Sequence, residues 1–297
     1  KWKEYIEGWS SRNDVPRVII AVLATACKEE FIKKLNDGEH LMIIIDELHN
    51  AGANKTSNIF NINTGAKLGL TATLERSDEG IQKIKDYFND SKESPAIVHK
   101  FTIEDAINHD PPRLCHYDYD FETVRLNDEE QEEYDNYSRQ ISKLSAINKS
   151  SNNNDISDIN FLSQRRALIR KKAEGKKSAA VKIISENYKH DQRWLIYCED
   201  NVQLKSIKDE LWQEKRISSS IYESSMNDTE KDDTLKNFAM FGGIIFSMGC
   251  LDEGVDIPNS THALIVSSSS QRREYVQRRG RVLRNFQKGS IKKRKAF

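Results

Sequence analysis

The stretch that most limits what this chain can fold into is residues 41–49, LMIIIDELH, an apolar run closed by two adjacent carboxylates. Apolar residues without alternation suit a strand of a parallel sheet buried on both faces, and in open α/β sheets ligands gather beyond the carboxyl ends of the strands. Asp46 and Glu47 therefore stand where a ligand is expected. A buried carboxylate is unfavourable unless paired or metal-bound. A hydrated Mg²⁺ on Asp46, with Glu47 beside it as base for an attacking water, accounts for the pair. A strand running into a solvated Asp-Glu turn is the other reading of the same residues.

The flanking sequence extends the pattern. Residues 17–26 (RVIIAVLATA) read as a second buried strand, and residues 27–35 have helical spacing through Phe31, Ile32 and Leu35. Residues 50–63, rich in Asn, Gly, Ser and Thr, read as a polar loop. Residues 67–73 read as a short strand ending in the hydroxyls of Thr71 and Thr73, and residues 78–88 as a helix. Strand and helix alternate, which argues for a parallel sheet with helical crossovers.

From Pro111 and Pro112 the character changes. Residues 113–126 read as extended, and Asn127 with Glu130 predicts a capping-box start to a long charged helix with Tyr134, Tyr137, Ile141 and Leu144 on one face. Residues 149–158 (KSSNNNDISD) carry too little apolar surface to fold alone and read as a loop, after which 159–172 resumes a helical pattern. The basic cluster Arg165, Arg166, Arg170, Lys171 and Lys172 reads as a solvated face in preference to a phosphate track. A second α/β unit follows: strand 194–198, helix 201–212, strand 217–222, helix 228–241, strand 243–247 and strand 263–266. The expected organisation is 1–110 as the later part of a first α/β domain, 111–190 as an extended linker and helical insertion, and 191–297 as a second α/β domain. Chain length allows each domain its own core.

Acidic and basic residues balance at 46 each, so any grip on nucleic acid must come from local basic patches. Cys27, Cys115, Cys198 and Cys250 lie far apart without a Cys-x-x-Cys pair, which argues against a zinc site or a disulfide framework and for a reducing, cytoplasmic compartment. No stretch is apolar for long enough to span a bilayer, so no membrane partner is expected.

Near the carboxyl end stands QRRGRVLR, residues 277–284, in which Arg281 and Arg284 have the spacing that places two side chains on one helix face. Paired guanidinium groups are what phosphoryl transfer uses against charge developing on a γ-phosphate; a basic surface helix is the plainer alternative. Upstream, residues 247–258 (SMGCLDEGVDIP) mix glycines and carboxylates after an apolar run, a composition that fits a ligand-contacting loop.

Taken in order, DELH, then Thr71-Ala72-Thr73, then the 194–198 strand, then CLDEGVDIP, then QRRGRVLR resemble motifs II, III, IV, V and VI of superfamily 2 helicases, most nearly the XPB-like and restriction-type DEAD/DEAH-box group. The resemblance spans nearly the whole chain. It implies two RecA-like parallel-sheet domains, the first incomplete, with a helical insertion or linker between them. It implies ATP and Mg²⁺ as cofactors, with Asp46 on the metal, Glu47 on the attacking water and His49 coupling the nucleotide site to motif VI. Thr71 and Thr73 would link nucleotide state to domain closure, and Gly254, Asp256, Gln277 and Arg278 would lie on the ATP side. Arg281 and Arg284 would be the arginine fingers. Ser247 and Met248 would lie near the nucleic-acid backbone, and Thr25, in a segment similar to motif Ib, would touch a phosphate, although Val22 stands where these families often have Thr.

The chief departure is the phosphate-binding Gly-x-x-x-x-Gly-Lys-[Ser/Thr] loop, which does not occur in these 297 residues. Gly175-Lys176-Lys177-Ser178 is not such a loop, since it lacks the first glycine and follows no strand. At the other end Lys295-Ala296-Phe297 has the character of the start of a last strand. Both features imply a piece of a longer protein, inactive as an ATPase by itself. The implied activity of the intact protein is ATP-dependent movement on DNA, with RNA as the alternative track. A motor-derived binding module without ATPase activity, and the translocating subunit of a restriction or phage-defence nuclease whose nuclease lies elsewhere, are the competing readings.

Overall fold

The computed structural model describes residues 18–35, 38–74, 76, 78–89, 96–151, 157–248, 257, 260–267, 278, 280 and 294–296. The chain divides into two units, residues 1–101 and 102–297.

In the first unit, strand β1 (Gly38–Ile45) pairs in parallel with β2 (Thr64–Gly69), with Ile45 opposite Gly69. Before them come two short helices, α1 (Leu23–Ala26) and α2 (Glu29–Ile32), and after them α3 (Gly80–Tyr87). One core serves all of these: Cys27, Ile45, Leu48, Ala51, Ile59, Ile62, Ile84 and Tyr87, with Ile43 packed at its edge.

Four expectations for this unit are corrected. Residues 18–22 form no strand, and Leu23–Ala26 is helical, with Val18, Ile20 and Val22 exposed. Among the described residues strand β1 is covered on one face: Ile43 and Ile45 face the core, whereas Met42 and Ile44 are 59% and 58% exposed. A sequence apolar at every position hides the two-residue alternation that decides which side is covered. Residues 50–63 are not plain loop but two 3₁₀ segments, Leu48–Gly52 and Ser57–Asn61, anchored by buried Ala51, Ile59 and Ile62. Strand β2 also stops at Gly69, leaving Thr71 and Thr73 just beyond it.

The second unit is a six-stranded parallel sheet in the order β3-β8-β7-β4-β6-β5. Its strands are β3 (Tyr117–Tyr119), β4 (Arg193–Tyr197), β5 (Ser220–Tyr222), β6 (Gly243–Ser247), β7 (His262–Ile265) and β8 (Arg294–Ala296). Here burial on both faces holds. Trp194, Ile196, Ile244, Phe246 and Leu264 line one face, and Leu195, Tyr197, Ile245 and Ala263 the other. Helices α7 (Gly175–Asn187) and α8 (Asn201–Lys215) cover the first face through Ala180, Val181, Ile184, Leu204, Ile207 and Leu211. Helix α9 (Asp228–Phe241) covers the other with Phe238 and Leu235. Helices on both faces of a parallel sheet make this a doubly wound α/β unit.

Helix starts follow local chemistry. Asn227 and Glu230 form a reciprocal capping box at α9, and the Asp200 carboxylate accepts from the Gln203 N–H at 2.9 Å at α8. The predicted Asn127–Glu130 box opens α5 (Asp128–Ser151), with bonds of 2.8 and 3.0 Å. That helix and α6 (Ser157–Lys172) each run past the expected ends of the 149–158 loop, of which residues 152–156 lie outside the described ones. A short α4 (Ile103–Asn108) carries its own capping box through Thr102 and Asp105.

Burial predicts contrasting stabilities for one chemical change. Ile184→Val, at a fully buried α7 position, is expected to lower unfolding free energy by about 0.5–1.5 kcal/mol. Ile44→Val, on the open face of β1, should stay within about 0.5 kcal/mol. Urea denaturation of the two variants measures both; equal losses would mean that the open face of β1 is covered.

Candidate active site

The carboxyl ends of β1 and β2 bring the acidic turn and the hydroxyl segment together. Leu70 N–H donates to Ile45 O and Leu48 N–H to Leu70 O, both at 2.9 Å, so the parallel ladder continues beyond the strands and fixes the spacing of the two segments. Asp46 is exposed, and its Oδ1 accepts the Glu47 N–H at 2.9 Å. Glu47 then takes a left-handed backbone conformation, φ 46° and ψ 50°, which a non-glycine residue adopts at an energetic disadvantage and which recurs at functional sites.

This turn aims the Glu47 carboxylate at a buried histidine. Glu47 Oε2 lies 3.3 Å from His49 Nδ1, and His49, only 1% exposed, also places Nδ1 3.0 Å from Thr71 Oγ1. Thr71 Oγ1 donates its one proton to Thr73 O at 2.7 Å, so it accepts from histidine, which assigns the proton to His49 Nδ1. His49, Thr71 and Thr73 thus form one hydrogen-bonded chain into the segment after β2, and the Glu47 carboxylate meets it by close charge contact with His49 Nδ1. The Thr73 hydroxyl itself is buried without a hydrogen-bond partner among the described residues.

A residue that sequence reasoning missed closes this cluster. Arg76 donates through Nη1 to His49 O and grips Asp78 with Nε at 2.7 Å and Nη2 at 2.5 Å. Its only sequence signal is an Arg-x-Asp spacing shortly after Thr71-Ala72-Thr73, which is too common to single it out. The bond to Asp78 raises the guanidinium pKa further, and the Arg76 guanidinium holds the Asp78 carboxyl below its ordinary value.

Other expected site residues take different places. Thr25 sits on the helical turn α1, half-buried, instead of at a strand end. Ser247 is buried at the end of β6 and donates to Met248 O at 3.1 Å, and Met248 packs against the sheet's core. Arg278 is also interior: Nη1 donates to Ser267 O at 2.6 Å, and the guanidinium lies 5.0 Å from the centre of the Tyr197 ring. Gly254, Asp256, Gln277, Arg281 and Arg284 lie outside the described residues.

The basic residues near α6 are engaged internally. Lys171 pairs with Glu199 at 2.9 Å, Lys172 with Asp200, and Arg166 donates to Ser138 Oγ at 3.1 Å while stacking with Arg170 over Tyr134. Lys176 turns inward onto Val266 O at 2.9 Å, where burial lowers its pKa, and Lys177 pairs with Glu210 at 2.7 Å. Neither lysine sits on a phosphate-binding loop.

Among the described residues no group of three His, Cys, Asp or Glu side chains converges as a metal cage. The accessible Asp46 carboxylate nonetheless fits Mg²⁺ bound with a nucleotide, because Mg²⁺ keeps its waters and takes one or two carboxylates plus phosphate oxygens. No helix among the described residues is long and apolar enough to cross a membrane.

Parallel sheets with an acidic turn at a strand's carboxyl end define a protein of the parallel α/β class. Residues 3–76 match the family "type III restriction enzyme, res subunit", and residues 175–286 match "helicase conserved C-terminal domain". The chain belongs to the superfamily 2 helicases and holds a helicase- or translocase-type motor core. Among solved structures it is similar to the Pyrococcus furiosus Hef helicase domain, at 14% identity over 92% of this chain and 74% of that one, with a TM-score of 0.46. It is also similar to the Sulfolobus solfataricus SWI2/SNF2 ATPase core in complex with dsDNA, at 15% identity over 82% and 60%, with a TM-score of 0.39. A comparison with curated proteins gives no match.

Proposed function

We propose that this chain is the motor core of an ATP-dependent helicase or translocase that moves on DNA, with RNA as the alternative track. The observation that carries the reading is the relay from Glu47 through buried His49 to Thr71, set on a left-handed turn at the carboxyl end of β1. A solvated Asp-Glu turn has no need of that backbone conformation or of a buried histidine behind it.

Bound Mg²⁺–ATP supplies the phosphoryl group and the charge that polarises it. Asp46 would hold the metal, and Glu47 would orient the attacking water and accept its proton. His49, with Nδ1 3.3 Å from Glu47 Oε2, keeps the carboxylate aimed. Thr71 and Thr73 pass the state of that carboxylate to the segment after β2. Arg281 and Arg284 would neutralise charge developing on the γ-phosphate, with Gly254, Asp256 and Gln277 on the nucleotide side. Arg278, buried against Tyr197 and Ser267, would act through those contacts instead of by touching the nucleotide. The scattered cysteines suit a reducing, cytoplasmic compartment.

The match of residues 3–76 to a restriction-enzyme subunit favours one refinement, in which the motor is the translocating part of a restriction or phage-defence assembly. The competing reading is a docking module without ATPase activity. ATP turnover of the full-length protein, measured alone and with single- and double-stranded DNA and RNA, separates them. Stimulation by one nucleic acid is the expected result, and no turnover with any of the four would favour the docking module. The 297 residues alone are expected to turn over ATP poorly, since the phosphate-binding loop is not among them.

A further inference from the structure

We infer that Arg76 is a positioning residue for the acidic turn: it clamps the backbone behind Glu47 to the start of α3, and the geometry of the attacking-water carboxylate depends on that clamp. The role assigned to Glu47 rests on the function proposed above; the clamp itself rests on geometry alone.

Three observations converge on it. Arg76, with its side chain 15% exposed, uses all three guanidinium nitrogens: Nη1 on His49 O, Nε and Nη2 on the two Asp78 oxygens. A bidentate pair of this kind fixes orientation as well as distance. Asp78 in turn accepts the Gly80 N–H at 3.2 Å, so the same carboxylate tethers the first turn of α3. Directly beside this, the 3₁₀ segment after the acidic turn crosses the start of α3 backbone to backbone. A Cβ on Gly52 would fall 2.7 Å from Gly80 O, and one on Gly80 would fall 2.8 Å from Arg76 Nε. Only two glycines permit that approach, and it brings α3 close enough for one arginine to reach both His49 O and Asp78.

The consequence is specific to the turn. Glu47 sits in a left-handed conformation that the chain would leave if its surroundings did not hold it. The ladder bonds fix Ile45 before it and Leu48 directly after it against Leu70, and one residue further on the bond from Arg76 fixes the carbonyl of His49. With Arg76 gone, that carbonyl loses this donor and the 3₁₀ segment loosens against α3, which shifts the His49 ring on Thr71 and the carboxylate from its place beside the attacking water.

Two measurements on full-length Arg76→Ala and Arg76→Lys test this. Hydrogen exchange of peptides spanning 47–52 should accelerate about tenfold or more in both variants, while peptides within β1 and the second unit keep wild-type rates. Lysine keeps the charge but cannot bridge His49 O and both Asp78 oxygens, so it should not restore protection. ATP turnover should fall about 10- to 100-fold in kcat, with KM for ATP unchanged within about twofold, as expected for misplacement of a reacting group. Exchange at 47–52 that matches wild type in Arg76→Ala overturns the clamp. So does a general acceleration across the unit, which would mark Arg76 as an ordinary packing residue. If wild type shows no ATP turnover at all, the proposed function fails while the exchange result still decides the clamp.

Discussion

Glu47→Gln in the full-length protein is expected to lower nucleic-acid-stimulated ATP turnover by about 10²–10⁴-fold while leaving ATP affinity within about twofold of wild type, the size of effect that loss of a positioned general base produces. The substitution is close to isosteric. Gln keeps an oxygen to face His49 Nδ1, and it asks nothing new of the backbone, so the left-handed turn and the bond from Glu47 N–H to Asp46 Oδ1 remain. What changes is charge: an amide neither accepts a proton from water nor aligns its lone pair as a carboxylate does. Asp46, the residue assigned to the metal, is untouched, so nucleotide binding should survive. Steady-state turnover beside equilibrium binding of a fluorescent ATP analogue gives both numbers. Turnover near the wild-type rate would remove Glu47 from the reaction and leave the relay as a structural feature of the turn.

The acidic turn was legible because chemistry and pattern coincide there: an apolar strand cannot end in two carboxylates without a reason. The partners of that turn were legible only in part. Thr71 stood out as a strand-end hydroxyl, but its bond to His49 needs the register of β1 against β2, which pairs Ile45 with Gly69 across an intervening crossover. Arg76 was not legible, since its role arises from a close crossing of Gly52 and Gly80 that no local spacing announces.

In the fold, the strands of the second unit and helix 228–241 could be read directly. Their cores are apolar on both faces, and Asn227 with Glu230 marks the helix start. The identical reading failed on β1, because LMIII says that both faces tolerate burial and not that both receive it. Residues 50–63 misled for the opposite reason: a polar composition conceals Ala51, Ile59 and Ile62, which are enough to anchor two 3₁₀ segments to the core. The basic residues at the end of α6 were read as a solvated face, yet Lys171 and Lys172 each hold a carboxylate and Arg166 a serine hydroxyl. Composition carries the charges but not the partners that the topology brings to them.

The largest effect is expected at Arg281. Arg281→Ala should lower turnover by about 10³–10⁵-fold, the range associated with an arginine that neutralises charge on the transferring phosphoryl group, with no shift in the urea midpoint. Arg281→Lys should recover little, because an ammonium group lacks the planar fork that meets two phosphate oxygens at once. Arg278, three positions earlier in the same run of arginines, is the control that gives this prediction its edge. Its guanidinium is buried, bonded to Ser267 O and laid on the Tyr197 ring. Removing it leaves a buried carbonyl without that donor and the ring without its cation, a loss of about 1–3 kcal/mol in stability. Arg278→Ala should therefore move the urea midpoint. Its effect on turnover should be small under conditions where the variant stays folded. Two arginines of one motif would then separate cleanly, one by rate and the other by stability. If Arg281→Ala shifts the midpoint and spares the rate, the two assignments are reversed and Arg281 is not the finger.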